Sequence, residues 1–333
     1  MTAAMLQVAG GAAEGVPAYA GLLIQIRRDG SAVRRGGQQA LDAVDQLLGV
    51  ERLGHVLVGA GGEAEATRNG SSVGGQQDCM ALILLTGAAG SIGRMLQPRL
   101  GHHELRLTDV RASDGVEELD VTDADAVEKA CRGVAAVVHL GGIAGEGPFE
   151  EVLATNVRGT ERVLQAAHRT GVPRVVLASS NHAAGLHERA DAGPEGLPDD
   201  VPARPDSYYG WSKAAMEQLG RLHHDRHGLH VTCLRIGSCA ERPTDPRDLS
   251  AWLSPDDAAR LVDAALGATG WRLVWGVSAN TRRWWSTAGG RAIGYRPRDD
   301  AEAWAAEVGE PDLAAPEHRR VGGSMPDKPL GGS

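Results

Sequence analysis

The chain has 333 residues, enough for one large core or two domains. Its formal net charge is −9 with 23% charged residues, which excludes a basic field for nucleic acid or for an anionic membrane surface. The four cysteines (Cys79, Cys131, Cys233 and Cys239) lack the paired spacings of a zinc site or a disulfide framework, so no metal is expected and a reducing cytoplasm is.

Residues 1–79 differ from the rest: they hold no lysine, one aromatic residue (Tyr19), and glycine pairs at Gly10-Gly11, Gly36-Gly37, Gly61-Gly62 and Gly74-Gly75. Their longest apolar run, 16–26, is broken by Pro17 and Gly21 and follows no positively charged stretch, so it reads neither as a membrane span nor as a signal peptide. Residues 21–27 have a strand pattern, and 38–48 a helical one with Leu41, Val44, Leu47 and Leu48 on one face. The expectation is that Met80 is the natural start and that 1–79 is a poorly ordered extension of the reading frame.

Right after Met80 comes Leu82-Ile83-Leu84-Leu85, a buried parallel strand by its unbroken apolar run. It leads into Thr86-Gly87-Ala88-Ala89-Gly90-Ser91-Ile92-Gly93, with a helix expected to open at Arg94-Met95-Leu96-Gln97. A strand, a glycine-rich turn and a helix N-terminus suit a pyrophosphate: backbone N–H groups face the anion and missing side chains let it approach. Asp109 ends a second strand run, 22 positions after Gly87, where a carboxylate can accept bonds from the ribose hydroxyls of a dinucleotide.

Residues 117–123 read as a short strand entering a helix that starts near Asp123 and ends at Gly133. Residues 135–140 form another buried strand, and Gly141-Gly142 follow it where a cofactor crosses the sheet edge. A helix over about 149–170 is expected to turn Leu153, Asn156, Val157, Leu164 and Ala167 to the sheet, with Gly171 stopping it. Residues 174–178 make a fifth strand ending in the polar run Ser179-Ser180-Asn181-His182. This alternation is the doubly wound α/β pattern with a parallel sheet.

Tyr209 and Lys213 lie four apart in a helix running to about His227, hence on one helical face. An ammonium beside a phenol favours the phenolate, which makes the tyrosine usable as a base. From about Arg235 the chain is expected to interleave with the sheet. Ser254-Pro255-Asp256-Asp257 starts a helix to about Gly267, residues 271–275 are a final strand, and the Gly- and Pro-rich tail from Val321 is expected to be loosely held.

The ordered set of glycine turn, Asp109, Asn156, Ser180 and Tyr209-x-x-x-Lys213 resembles the extended short-chain dehydrogenase/reductase superfamily. Within it, His139-Leu140-Gly141-Gly142-Ile143, Ser179-Ser180-Asn181-His182, Val201-Pro202-Ala203-Arg204-Pro205-Asp206, Arg235-Ile236-Gly237-Ser238-Cys239 and Ser278-Ala279-Asn280 with Trp284-Trp285 resemble the uronate dehydrogenases. The likeness runs from Met80 to the C-terminus and implies a Rossmann-type, NAD-binding catalytic domain over 80–333, with a substrate-binding portion at about 235–333.

The resemblance implies roles by position. Gly87, Gly90, Ser91, Ile92 and Gly93 would bind the cofactor phosphates, Asp109 its ribose in preference to a 2′-phosphate, and Asp120 and Val121 its adenine. Leu140 and Gly141 would line its path, and Lys213 would bond the nicotinamide ribose. Ser180 and Tyr209 would hold the reacting hydroxyl, with Ser180, Tyr209 and Lys213 catalytic. Asn181, His182, Ser238, Cys239 and Arg247 would bind a sugar acid, Arg247 through a planar fork that suits a carboxylate, and Ser238 would also touch the cofactor. Ala144 stands where the family carries serine, so one substrate hydrogen bond is expected to be absent. Trp284 and Trp285 read as cover for apolar surface. The implied activity is NAD-dependent oxidation of a hexuronate at C1 to the aldarolactone, by a cytoplasmic enzyme compatible with a homo-oligomer. A nucleotide-sugar epimerase or dehydratase shares the triad, but the 254 residues from Met80 to Ser333 favour a small substrate. A non-catalytic dinucleotide sensor would have no need of Ser180, Tyr209 and Lys213.

Overall fold

The computed structural model describes residues 81–332. The strand pattern at 21–27, the helical pattern at 38–48 and the expected start at Met80 lie outside the described residues.

In chain order the elements that frame the site are β1 (Leu82–Thr86), α1 (Ser91–Leu96), β2 (Glu104–Asp109), β3 (Glu117–Glu118), α2 (Ala124–Cys131), β4 (Ala136–His139) and α3 (Phe149–Val152). A π-helical segment (Leu153–Arg158) joins α3 to α4 (Gly159–Thr170), and β5 (Arg174–Ser180), α5 (Tyr208–His227) and β6 (His230–Ile236) follow. Then come β7 (Ser238–Cys239), α6 (Asp248–Ala251), β8 (Trp252–Leu253), α7 (Pro255–Gly267) and β9 (Trp271–Gly276).

Seven strands form one sheet in the order β3-β2-β1-β4-β5-β6-β9, with all neighbours parallel. The order reverses between β1 and β4, which opens a crevice at their carboxyl ends. Both faces are covered, so consecutive strand residues enter opposite cores. Leu84, Val137, Val175 and Val231 pack with Val127 of α2, Leu164 of α4 and Met216 of α5. Leu85, Val138, Val176 and Leu234 pack with Leu96 of α1 and Leu261 and Val262 of α7. The doubly wound fold read from the strand–helix alternation is therefore the observed one. β9 pairs with β6 as the last strand of the same sheet.

Three local expectations change. The first helix opens at Ser91, not Arg94. Gly93 sits inside its first turn, where a Cβ would come within 2.5 Å of the Gly87 and Ala88 carbonyl oxygens. The helix over 149–170 contains a π turn, which slips the buried stripe: Val152, Asn156, Thr160, Val163, Leu164 and Ala167 are buried, while Leu153 and Val157 are half-buried. The C-terminal tail is docked, not loose. Val321 is fully buried beside Ala184, Leu197, Trp284 and Trp285. Its N–H donates to the His187 carbonyl and that of Gly322 to the Gly185 carbonyl, both at 2.9 Å. Glycine there serves close approach, since a Cβ on Gly322 would lie 1.7 Å from Asp206 Oδ2. Among the described residues no helix is long and apolar enough to cross a membrane.

Candidate active site

The turn after β1 is shaped by Gly87, whose φ of +72° belongs to the left-handed region and whose Cβ would lie 2.6 Å from Gly141 N. The two loops at the sheet switch point thus touch backbone to backbone. Asp109, at the end of β2, accepts the Ala89 N–H on Oδ2 at 3.0 Å, which ties the second strand to the turn. Over these loops runs a cavity of about 1110 Å³ along the carboxyl edge of the sheet. Gly87, Gly90, Ser91, Ile92, Gly93, Asp109, Asp120, Val121, Leu140, Gly141, Ser180, Tyr209, Lys213, Ser238 and Cys239 line it, as does Ala144. Asn181, His182 and Arg247 stand outside its lining.

A buried polar chain holds the floor together. Thr86 Oγ1 accepts the Gly141 N–H (3.3 Å) and donates to His139 Nδ1 (2.8 Å). His139 Nε2–H then points to Thr160 Oγ1 (3.3 Å), which donates to the Asn156 carbonyl (2.6 Å). This assignment gives every hydrogen one acceptor. Burial brings His139 down to about 3, so the ring is neutral. The Asn156 side chain closes a loop onto Ile143 N–H and carbonyl and donates to Ser212 Oγ, which donates to the Tyr209 carbonyl. Asn156 reaches both partners from the π segment, a common device where a helix must aim a side chain.

Tyr209 is the second residue of α5, whose N-cap Ser207 accepts the Gly210 N–H at 2.9 Å. Lys213, one turn on, is buried, donates from Nζ to the Ala178 carbonyl at 2.8 Å and lies 5.6 Å from the Tyr209 ring centre. Burial lowers its pKa to about 8. Burial raises that of Tyr209 above its ordinary value; the hydrogen bond from Ser180 opposes this and the Asp206 charge adds to it. The expected depression of the phenol by the ammonium therefore does not dominate. Desolvation does, and the Ser180 hydroxyl is what works toward the phenolate.

Beyond the cavity lining the remaining polar residues engage one another. His182 Nδ1 bonds the buried Asp206 Oδ2 at 2.8 Å, with the His182 ring 5.7 Å from that of Tyr209. The single Ser180 hydroxyl hydrogen serves either the Tyr209 oxygen or Asn181 Oδ1, which lies 3.1 Å from Ser180 Oγ; Asn181 Nδ2 donates to the Val321 carbonyl at 2.6 Å. The Arg247 guanidinium donates to the same carbonyl, while its buried Nε has no partner among the described residues. Deeper still, Arg235 forms a two-bond pair with Glu217 at 2.9 Å, and Glu217 also accepts the Ser179 hydroxyl.

Sequence reasoning assigned no role to His139, Thr160, Ser212, Asp206, Glu217 and Val321, although His139 and Asp206 stand in runs that carry the family resemblance. The one usable signal was the position of His139 at the end of an apolar strand.

The lining fits a dinucleotide. It combines backbone N–H groups without side chains at the turn, a carboxylate at the second strand, and a buried cation and phenol at the far end.

A family model described as the NAD dependent epimerase/dehydratase family matches residues 83–270. A uronate dehydrogenase of Agrobacterium fabrum is 40% identical over 265 residues, covering 75% of this chain and 98% of that protein. A uronate dehydrogenase of Pseudomonas syringae pv. tomato is 39% identical over 237 residues, covering 68% of this chain and 85% of that protein. A crystal structure of a mutant Agrobacterium tumefaciens uronate dehydrogenase complexed with NAD superposes with a TM-score of 0.70 at 39% identity, covering 75% of this chain and 98% of that one.

Proposed function

The chain belongs to the NAD dependent epimerase/dehydratase family, and on that premise we propose that it is an NAD-dependent oxidoreductase that oxidises C1 of a hexuronate to the aldarolactone. The observation that carries the proposal is the convergence of Ser180, Tyr209 and Lys213 at the end of the cavity, in a chain about 40% identical to uronate dehydrogenases along nearly the full length of one of them.

NAD, when bound, supplies the hydride acceptor. The glycine turn and the start of α1 hold its phosphates, and Asp109 its adenosine ribose, where a 2′-phosphate would meet a carboxylate. Asp120 and Val121 bound the adenine end, and Leu140, Gly141 and Ser238 the path between. Ser180 holds the C1 hydroxyl against Tyr209, which takes its proton as the C1 hydrogen departs as hydride. Lys213 keeps a positive charge beside the phenol and bonds the nicotinamide ribose. In the portion at about 235–333 Arg247 would receive the carboxylate and Ser238 and Cys239 the ring, with Asn181 and His182 as further sugar contacts; Asn181 and Arg247 meet at the Val321 carbonyl, at the border of the cavity lining. Cys131, Cys233 and Cys239, which are free thiols among the described residues, support a cytoplasmic setting.

NADH absorbance followed with galacturonate, glucuronate, galactose and UDP-glucose tests the reading. Turnover of the two uronates above the neutral sugar is the expected result. Turnover of UDP-glucose alone would replace it with a nucleotide-sugar enzyme, and NAD binding without any turnover with a sensor.

A further inference from the structure

The first helical N–H groups of α5 have no partner inside the helix. Ser207 takes that of Gly210. The N–H of Tyr209 donates to Glu146 Oε2 at 3.0 Å, from a residue 63 positions earlier on the β4–α3 connection. The other oxygen of the same carboxylate, Oε1, accepts the N–H of Gly331 at 2.8 Å. One side chain thus grips the backbone of the base and the C-terminal segment together.

That segment is fastened again at its other end. The Val321 carbonyl takes the amide of Asn181, next to Ser180, and the guanidinium of Arg247. At its far anchor it lies against α5, with Gly331 beside the Tyr208 ring, where a Cβ would stand 3.4 Å away. The C-terminal segment and the helix bearing the base therefore share a carboxylate: if either moves and Glu146 follows it, the N–H of the other loses its acceptor.

We propose that Glu146 is a positioning residue, which couples docking of the C-terminal segment to the seating of Tyr209, so that the base is in place only when the sugar side is closed. This rests on the dehydrogenase reading above. A carboxylate suits the role because it accepts on both oxygens at once and carries negative charge at a helix N-terminus. An amide can accept on only one.

The experiment uses the full chain, its Glu146→Gln variant, a variant ending at Ser324, and the two changes combined. Circular dichroism and NAD affinity first show that each is folded with the cofactor site intact. Hydrogen exchange at the amides of Tyr209 and Gly331 reads the coupling without substrate. At least one of the two amides should exchange faster in Glu146→Gln, since a single oxygen cannot serve both, and that of Tyr209 faster when the chain ends at Ser324. With galacturonate, Glu146→Gln should lose about tenfold or more in kcat with NAD affinity unchanged, because small misplacements of a reacting group are costly. Removing 325–333 as well should add little, since both changes break one link. Losses that multiply, a kcat within about twofold of the parent, or a Tyr209 amide indifferent to the deletion would each overturn the coupling. If the parent oxidises no uronate, the substrate reading fails while the exchange data still decide the role of Glu146.

Discussion

His139 Nδ1 lies 2.8 Å from the hydroxyl of Thr86, and the two residues are direct partners in the register of β4 and β1. The bond joins the two strands that flank the switch point, at the level where the glycine turn begins. With Thr86 as the donor the bond uses a neutral ring, since a protonated imidazole has no acceptor to offer.

Acid stability should report this. The ring titrates near 3 when folded, against about 6.5 when free, so between those values the unfolded chain binds the extra proton. Stability is therefore full above pH 6.5 and falls toward pH 3, by at most about 1.4 kcal/mol per pH unit from this residue. His139→Asn should flatten the slope of unfolding free energy against pH over that window. An unchanged slope would mean that other groups govern acid unfolding.

Lys213 should trade stability for activity. Its pKa of about 8 in place of 10.5 means that the fold bears a cost for holding it charged, roughly 3 kcal/mol near neutral pH. The unfolded chain binds more protons between pH 8 and 10.5, so stability rises across that window. Lys213→Met should raise the unfolding free energy at pH 7 by up to about 2 kcal/mol, and with it the melting temperature, once the lost bond to the Ala178 carbonyl is set against the gain. The same variant should lose turnover, and a lower melting temperature would refute the cost.

Tyr209→Phe removes the phenol while leaving the α5 backbone bonds to Glu146 and Ser212 available. A positioned acid–base group contributes about 10²–10⁴-fold, so kcat should fall at least that far with NAD affinity little changed. Near-parental turnover would remove Tyr209 as the base.

Arg247 tests the substrate class. A charge-assisted bond is worth roughly 1.5–3 kcal/mol, or about 10–150-fold. Arg247→Ala should lower kcat/KM for galacturonate by that range and collapse its discrimination from galactose. Arg247→Lys should recover only part of it, lacking the two-pronged fork. If the preference survives in the alanine variant, the carboxylate is read elsewhere and Arg247 serves to hold Val321.

Much of this protein was legible in its sequence because it is local. Apolar runs make strands, glycine turns and Ser254-Pro255 make boundaries, and a four-residue spacing puts Tyr209 and Lys213 on one face; all of these depend on neighbours in the chain. The cavity lining followed from those pieces, since an open α/β sheet presents its strand ends together. What the folded chain alone decided are the contacts over long separations. His139 read as one more strand residue until Thr86 and Thr160 closed on it. Glycine in the tail read as looseness, because flexibility is its meaning in isolation; against Asp206 and Arg247 the same missing side chain allows tight docking. The sign of the Tyr209 shift was likewise beyond the motif. Spacing brings a charge near the phenol, but burial sets the dielectric around both, and desolvation outweighed attraction.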